Sequence, residues 1–376
     1  MILQAPINSL GYGRVGYEVA KRLSKLEHLF LPQAIGYLDF ALEKVNVPYC
    51  PPEELTIYPI GQPEPDLYEE LQQYDWRAKE DDSSINNGNT LKIWHQHQLH
   101  EFVGDGDKYG FPIFELNKFT REEIRSMRHC DKLFVCSHWA KDIVDEHVGL
   151  TNTKVVPLGV DRGVFNENNN VSRPATIFFN CGKWEIRKGH DFLKIAFENA
   201  FTAEDNVELW LMCENPFIGN KNLDWVNYYK NSKLGNKIKF IPRQKTHRDV
   251  YNIMRQVDCG VFPVKAEGWN LELLELLSCG KNVITTNYSG HTEYIDRNNS
   301  KIIEVESLED AHDGIWFHGQ GQWAKLEDKQ LEQTVNHMRS IHSLKKNSDL
   351  QLNIAGIETA IKFSWDHTVE EILNEY

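Results

Sequence analysis

The sequence predicts an α/β protein built from two doubly wound domains. At 376 residues the chain is too long for one core of ordinary size and suits two domains. Short apolar runs alternate with helical patterns along it, which is typical of parallel βαβ units. Hydrophobic residues make up 41% and charged residues 26%, the proportions of a globular chain. We expect the two domains to face each other across a cleft, at the carboxyl ends of their strands.

The first domain is predicted over residues 1–163. Met1–Ala5 has the pattern of a strand, and apolar side chains recur at helical spacing over Arg14–Leu26. Further strands and helices are predicted at Leu91–Trp94, Phe111–Phe114, Thr120–Arg128, Leu133–Cys136, His138–His147 and Val155–Leu158. The polar, asparagine-rich segment Val160–Pro174 then marks a domain boundary.

The second domain is predicted over residues 171–355. Its strands are expected at Thr176–Cys181, Val207–Met212, Lys237–Ile241, Cys259–Val264, Asn282–Thr286 and Lys301–Val305. Helical patterns separate most of these runs, which indicates a parallel sheet. Leu326–Leu344 and Asn353–Leu373 are predicted as closing helices.

Charge and cysteine usage narrow the class of partner. The formal charge of -14, with no basic block interleaved with aromatic residues, disfavours nucleic acid and anionic membranes. Seven cysteines without a CxxC spacing suit reduced thiols. The chain opens on a strand rather than a signal peptide, and no apolar run is long enough for a transmembrane segment. We therefore expect a cytoplasmic protein.

A glycine-rich segment follows the first strand. Gly11–Gly16 matches GxGxxG, whose glycines let a pyrophosphate approach the start of a helix, as in NAD-dependent oxidoreductases. Two features disfavour that interpretation. Five residues, Pro6–Leu10, separate the strand from Gly11, and the acidic residue expected further on is supplied only by Asp39. A phosphate or acceptor loop at Gly11 and Gly13, or a structural turn, also fits.

A basic loop follows the first strand of the second domain. Gly182 opens it, and Lys183, Arg187 and Lys188 lie on it just before a helix begins near His190. Cations at the carboxyl end of a strand, beside the positive end of a helix, suit a diphosphate. A solvated charged loop is the alternative.

Two glutamates follow a later strand of the same domain. Glu267 lies at a turn, and Glu275 follows two helical turns later, so it lies on a similar face of the helix. The backbone N–H groups of Trp269, Asn270 and Leu271 would lack partners at the helix start. Carboxylates accept hydrogen bonds from sugar and ribose hydroxyls. Glu275 also fits an ordinary place on a helix surface.

The order and spacing of these motifs resemble the retaining GT-B glycosyltransferases of family 4. The resemblance rests on Phe134–Trp139, Val155–Asp161, Gly182–Gly189, Glu267 with Glu275, Ser278–Ile284 and Phe363–Asp366. It is strongest from about Asp131 onward. The resemblance implies the GT-B fold, in which two Rossmann-like domains face each other: the first takes the acceptor and the second the nucleotide-sugar donor. It also implies that a C-terminal helix, residues 358–376, packs back on the first domain.

The family's site residues transfer to matching positions of this chain. The resemblance implies that Lys183 and Lys188 hold the donor diphosphate and that Glu275 holds the ribose. Glu267 and the amides of Gly268–Leu271 would meet the sugar. It further implies retention of anomeric configuration without a bound metal. Two positions depart from the family pattern: Lys183 replaces a usual arginine, for which Arg187 would compensate, and Asn270 replaces a usual glycine.

Histidines after a strand of the first domain raise a second possibility. His95 and His97 precede Asp105 and Asp107, which is compatible with a metal site, but the ligand pattern is incomplete. Our preferred interpretation places one of these histidines at the cleft, bonded to the donor sugar or the acceptor. A structural histidine is the alternative.

Together with these motifs, the resemblance implies a retaining hexosyltransferase that uses a nucleotide-diphosphate sugar and needs no cofactor. The acceptor, whether carbohydrate, lipid-linked or a small molecule, is not specified by any motif. Two other functions stay open at this point. One is an NAD-dependent oxidoreductase that uses Gly11–Gly16, and the other is a nucleotide-sugar-binding protein without transfer activity.

Overall fold

The computed structural model describes residues 1–29, 55–74, 88–150 and 152–376. Asp39, which the dinucleotide interpretation requires, lies outside the described residues. The chain forms two compact units. Unit 1 comprises Met1–Phe114, Phe119–Gly159 and Ser364–Tyr376, and unit 2 comprises Glu115–Lys118 and Val160–Phe363.

Unit 1 contains a parallel sheet of six described strands in the order β2-β1-β3-β4-β5-β6. The strands are β1 Ile2–Ala5, β2 Thr56–Pro59, β3 Thr90–Ile93, β4 Lys108–Phe111, β5 Lys132–Val135 and β6 Thr153–Val155. Strands β1 and β3 are neighbours, with Ile2 paired to Thr90. The strand order reverses direction between them, which makes their carboxyl ends the switch point of this sheet.

The helices of unit 1 cover this sheet. They are α1 Gly11–Leu29, the short α2 Pro65–Tyr68, α3 Arg121–Met127, α4 His138–His147 and α11 Trp365–Asn374 at the C-terminal end. Helix α11 joins unit 1 through a bond from Thr368 Oγ1 to Pro157 O, at 2.7 Å, and through an Arg22–Asp366 ion pair. The glycine segment differs from the expected loop, because Gly11–Gly16 forms the first turns of α1.

Unit 2 contains a second parallel sheet, in the order β12-β11-β10-β7-β8-β9. Its strands are β7 Thr176–Gly182, β8 Val207–Cys213, β9 Ile238–Phe240, β10 Cys259–Phe262, β11 Asn282–Thr286 and β12 Lys301–Ile303. Strands β7 and β10 lie side by side at the point where the order reverses, with Cys259 opposite Phe178. Two doubly wound parallel sheets confirm the α/β class and the two Rossmann-like domains that the motifs indicated, while the cleft stays a prediction.

Helices pack on both faces of the second sheet. They are α5 His190–Ala200, α6 Lys221–Lys230, α7 His247–Met254, α8 Leu271–Ser278, α9 Asp328–Lys346 and α10 Ile354–Lys362. Phe178 and Val261 from the sheet meet Leu193 of α5 and Met338 of α9 in a fully buried core. In the described part of the chain, every helix is too short or too polar to cross a lipid bilayer.

Two elements of unit 2 differ from expectation. Leu308–His312 and His318–Ala324 form an antiparallel hairpin, β13 and β14, which no apolar run in the sequence had indicated. The predicted helix Asn353–Leu373 is divided into α10 and α11, because Ser364 leaves the helical conformation and caps the second helix by accepting a hydrogen bond from the His367 backbone N–H.

Candidate active site

The basic loop lies at the carboxyl end of β7, next to the switch point of unit 2. A short helical turn, Ile186–Lys188, leads into Gly189, whose φ of 72° is left-handed, and then into α5. A Cβ on Gly189 would lie 1.9 Å from Pro263 O, so only glycine permits this crossing of the β7 and β10 loops. The close approach brings Lys188 to the residues that follow β10.

Lys188 and Glu267 form a buried ion pair at this crossing. Lys188 Nζ lies 2.8 Å from Glu267 Oε1, and Arg187 Nη1 donates to Glu267 Oε2 at 3.0 Å. Both oxygens of the Glu267 carboxylate are therefore bound to cations. Lys188 Nζ also lies 3.8 Å from Glu272 Oε1, at the start of α8. The structure thus brings together residues that are 79 positions apart in the sequence.

The Arg187 guanidinium forms hydrogen bonds with several groups of the protein. Its guanidinium donates to Glu185 Oε2 through Nε at 3.1 Å and Nη2 at 2.7 Å, and to Ala266 O at 2.7 Å. The side chain is only 3% exposed. This fork fixes the backbone beside Glu267 as well as its carboxylate, which favours a positioning role for Arg187 over direct contact with a ligand.

Lys183 is the exposed cation of the loop. Its side chain is 37% exposed, and its Nζ lies 2.8 Å from Oε1 of the buried Glu185. Glu185 therefore joins Lys183 and Arg187 in one network. Gly182, with a φ of 132°, lies against the Lys188 side chain and leaves room for its Cε and Nζ. Glu185 was not predictable as a site residue, because a glutamate in a charged loop carries no motif of its own.

The charges of this network are fixed near neutral pH. Burial opposes ionisation of Glu267, but Lys188 and Arg187 outweigh it and lower the pKa of the carboxyl to about 2. Burial also opposes the charge on Lys188, yet Glu267 and Glu272 raise the pKa of the ammonium above its usual value. The Lys188–Glu267 pair is therefore ionised, and Glu267 does not act as a proton donor near pH 7.

The loop from Glu267 to Leu271 is held in an unusual conformation. Asn270 has a φ of 68° and caps α8 by accepting a hydrogen bond from the Leu273 backbone N–H. A left-handed backbone explains why glycine suits this position and why asparagine can replace it. The Trp269 ring is buried and packs 4.9 Å from the ring of Tyr294, so it does not face a ligand.

The loop that follows β11 forms hydrogen bonds with the backbone of Glu267. The Glu267 backbone N–H donates to Ser289 Oγ at 2.8 Å, and the Gly290 N–H donates to Glu267 O at 2.9 Å. A Cβ on Gly290 would lie 1.9 Å from Gly268 O. Ser289 itself has a φ of 75°. Ser289 and Gly290 were not among the predicted site residues, although a Ser-Gly dipeptide shortly after a buried strand is a recognisable turn signal.

Glu275 lies on α8, the helix that follows the Glu267 loop, and its side chain is nearly buried. Its Oε1 is 4.0 Å from His247 Nε2, at the start of α7. The sequence had not singled out His247. Its position follows from Thr246, which caps α7 by accepting from the Asp249 N–H. This pair gives unit 2 a second polar group at the carboxyl side of its sheet.

The residues singled out in unit 1 also meet at a switch point. The Tyr12 ring, between Gly11 and Gly13, lies 4.5 Å from the His95 ring, and His95 stacks on His97 at 5.6 Å. A Cβ on Gly13 would collide with Asn8, which explains that glycine, whereas a Cβ on Gly11 would meet nothing within 4 Å. Among the described residues, no group of three or more histidine, cysteine or acidic side chains is arranged to hold a metal ion.

Comparison with known proteins identifies the second unit. Residues 163–317 match the family model for glycosyl transferases group 1. A sequence search of curated proteins found no match.

Several solved structures share the whole fold. A glycosyltransferase from Rickettsia africae ESF-5 superposes with a TM-score of 0.64 at 16% identity, covering 99% of this chain and 96% of that chain. WaaG, a glycosyltransferase involved in lipopolysaccharide biosynthesis, gives 0.59 at 13% identity and covers 99% of both chains. Sucrose-phosphate synthase from Thermosynechococcus elongatus gives 0.60 at 14%, covering 84% of this chain and 81% of that chain. The chain therefore has the GT-B fold, and its residues 163–317 match the glycosyl transferases group 1 family.

Proposed function

We propose that this chain transfers a sugar from a nucleotide-diphosphate sugar to an acceptor hydroxyl, with retention of anomeric configuration and without metal. The observation that supports it best is the buried Lys188–Glu267 pair at the switch point of unit 2, inside the segment that matches the group 1 family. Ligands of doubly wound sheets bind at such a point. The names of the similar structures support glycosyl transfer as the reaction class.

In this proposal the donor diphosphate binds at Lys188 and Lys183. Lys188 has three N–H donors, and Glu267 accepts one of them at 2.8 Å. Negative charge develops on the diphosphate as the glycosidic bond breaks, and preorganised cations stabilise that charge. Because the pKa of Glu267 is about 2, its role is to accept hydrogen bonds from the sugar and to orient Lys188. The proton of the acceptor hydroxyl passes to the leaving phosphate.

The other site residues would complete the donor pocket. The backbone amides from Gly268 to Leu271 lie at the start of α8, where a helix favours an anion or a hydroxyl oxygen. Glu275 would accept from the ribose hydroxyls, with His247 beside it. In unit 1, His95 and His97 would contact the acceptor or the transferred sugar. The acceptor, carbohydrate, lipid-linked or small molecule, stays open at this stage.

Nucleotide release from a panel of nucleotide-diphosphate sugars tests the proposal. We expect one donor to raise the melting temperature of the wild-type chain by mass action and to release its nucleotide. Lys188→Ala should lower turnover by about a hundredfold or more, because one charge-stabilising donor is lost. Lys141→Ala, which removes a surface lysine paired with Asp145 in unit 1, is the control and should be unchanged.

Further outcomes separate the rival functions. Turnover should persist in excess EDTA, and the anomeric configuration of the product, measured by NMR, should match that of the donor. Wild-type activity in Lys188→Ala would contradict the assignment. Donor binding without nucleotide release, whatever acceptor is supplied, would identify a nucleotide-sugar-binding protein instead.

A further inference from the structure

Two exposed aromatic rings of unit 2 lie beside Lys183, one of the two lysines assigned above to the donor diphosphate. Phe217 and Trp316 contact each other edge to face, with ring centroids 6.2 Å apart. Phe217 is 57% exposed and Trp316 is 48% exposed. Lys183 Nζ lies 5.8 Å from the centre of the Phe217 ring. Large aromatic side chains that stay this exposed next to a candidate active site are a mark of a ligand surface.

The Phe217 side of this pair is fixed to the basic loop. Phe217 follows β8, and its backbone N–H donates to Oδ1 of Asn215, a fully buried residue. The Asn215 side chain in turn donates to Trp184 O at 3.2 Å. Because Trp184 directly follows Lys183, the position of the Phe217 ring is coupled to the same loop that carries the donor cations.

The Trp316 side is fixed to the loop that carries Glu267. Trp316 lies at the tip of the β13–β14 hairpin, where Asp313 Oδ1 accepts from the backbone N–H groups of Ile315, Trp316 and Phe317. At the base of the hairpin, Trp323 is buried against Ala266, the residue before Glu267. The hairpin therefore extends from the Glu267 loop to Phe217, and hydrogen bonds hold the backbone that carries each ring.

The chemistry of the hairpin selects a neutral, hydroxyl-rich ligand. Residues 308–324 include three carboxylates, Glu309, Asp310 and Asp313, and neither lysine nor arginine. Lys265 pairs with Glu309 at 2.8 Å, so Asp310 and Asp313 give the hairpin a net negative charge and it offers no cation of its own to a phosphate or an anionic lipid headgroup. Exposed polar side chains lie around Trp316, and Gln320 Nε2 donates to Trp316 O at 3.1 Å. Aromatic faces next to amide, imidazole and carboxylate groups suit sugar rings, which have apolar faces and polar edges.

We propose that Phe217 and Trp316 form an aromatic platform that binds the sugar rings of a neutral oligosaccharide acceptor. The identification of this ligand as the acceptor rests on the proposed transferase function, because the platform adjoins Lys183, where the donor diphosphate is assigned. The platform then holds the acceptor chain at the edge of the donor pocket. It also narrows the acceptor to a glycan, whether free or attached to another molecule.

Binding of the full-length chain to an array of neutral oligosaccharides tests the platform. We expect the wild type to bind a subset of these glycans, and Trp316→Ala and Phe217→Ala to weaken that binding by about tenfold, which corresponds to ~1.4 kcal/mol, because each removes a ring that packs on a sugar. Trp316→Phe retains a ring and should lose about threefold or less. Ile315→Ala, which removes the exposed aliphatic neighbour at the same hairpin tip, should bind as the wild type.

A second measurement separates the platform from the donor site. Nucleotide release without acceptor should be the same in Trp316→Ala as in the wild type, while glycan binding falls. The inference is overturned if no neutral glycan binds the wild type, if both alanine variants bind as the wild type, or if they weaken donor binding instead. Glycan binding that depends on Trp316, in a chain that releases no nucleotide, would uphold the platform and contradict the transferase function.

Discussion

Glu267 is the residue on which the candidate site depends. Its carboxylate receives Lys188 on one oxygen and Arg187 on the other, in a place almost without exposure. Buried ion pairs contribute little net stability when complete, but they are costly to break, because the remaining charge is left without compensation. The same arrangement that orients Lys188 therefore makes the local fold sensitive to the loss of one carboxylate.

Glu267→Gln is expected to destabilise the protein. The substitution keeps the shape of the side chain but leaves Lys188 and Arg187 buried with one carboxylate fewer, which should lower the free energy of unfolding by about 3–5 kcal/mol. Chemical denaturation followed by circular dichroism measures this change. Glu272→Gln is the matched control, since Glu272 is 30% exposed and lies 3.8 Å from Lys188 Nζ. It should cost about 1 kcal/mol or less, and equal losses in the two variants would refute the argument.

Asn270 gives a second test at the scale of one residue. Its φ of 68° is strained for most L-amino acids, and its side chain caps α8. Asn270→Ala should lower the free energy of unfolding by about 2 kcal/mol, because it adds left-handed strain and removes the cap. Asn270→Gly tolerates the backbone and should cost only about a few tenths of a kcal/mol. Thermal unfolding should therefore give a lower melting temperature for Asn270→Ala than for Asn270→Gly. An alanine variant as stable as the glycine variant would contradict the left-handed strain at this position.

At the scale of elements, the parallel strands were predictable and the hairpin was not. Strands such as Thr176–Gly182 and Cys259–Phe262 are buried on both faces and appear as continuous apolar runs. The hairpin strand His318–Ala324 is exposed over its first three residues and rich in glycine and glutamine, so it lacks both the apolar run and the alternation that indicate a strand. The strand is held in place by Trp323, whose buried ring packs with Ala266 and Leu116, two residues distant in the sequence.

The candidate site was predictable in its residue types but not in its pairings. Lys188 and Glu267 were found because cations and carboxylates follow strands that a doubly wound sheet brings together. The partners of Arg187 were not predictable from spacing, because Glu185 is two residues away and Glu267 is 80 residues away. Sequence order alone does not say which carboxylate an arginine will meet. The sequence therefore suggested a ligand contact where the structure favours a positioning role.

The glycines at the start of α1 offer a test of an element. A Cβ on Gly13 would lie 2.6 Å from the Asn8 backbone nitrogen, so Gly13→Ala must displace the β1–α1 connection and should cost about 1–3 kcal/mol. A Cβ on Gly11 meets nothing within 4 Å, and alanine favours a helix, so Gly11→Ala should be neutral or slightly stabilising. Thermal unfolding of the two variants gives the comparison. Equal destabilisation would show that the segment is constrained by something other than this contact.

At the scale of the whole molecule, both units place their candidate residues by the same rule. Gly11 and His95 follow β1 and β3 in unit 1, whereas Lys188 and Glu267 follow β7 and β10 in unit 2. Each pair of strands adjoins where the strand order of its sheet reverses. A chain with a net charge of -14 places two buried cations, Arg187 and Lys188, side by side at one of these points. Local compensation by Glu185 and Glu267 is what makes such a cluster stable without a ligand.

Stability of the whole chain should fall as the pH is lowered below about 6.5. Burial lowers the pKa of His190 to about 3 and that of His291 to about 4, so both are neutral when folded, whereas an unfolded histidine takes up a proton near pH 6.5. Their contribution is complete above that value and is lost by about 1.4 kcal/mol per pH unit for each histidine as the pH falls toward the folded pKa. Glu267, with a folded pKa of about 2, adds a further loss of stability below about pH 4.5.

Urea unfolding of the chain at pH 7, 6 and 5 measures the slope of the unfolding free energy against pH. His190→Gln should reduce that slope by about 1.4 kcal/mol per pH unit, while His312→Gln, at an exposed position of the hairpin, should leave it unchanged. The same slope in the wild type and in His190→Gln would show that His190 is protonated in the folded protein.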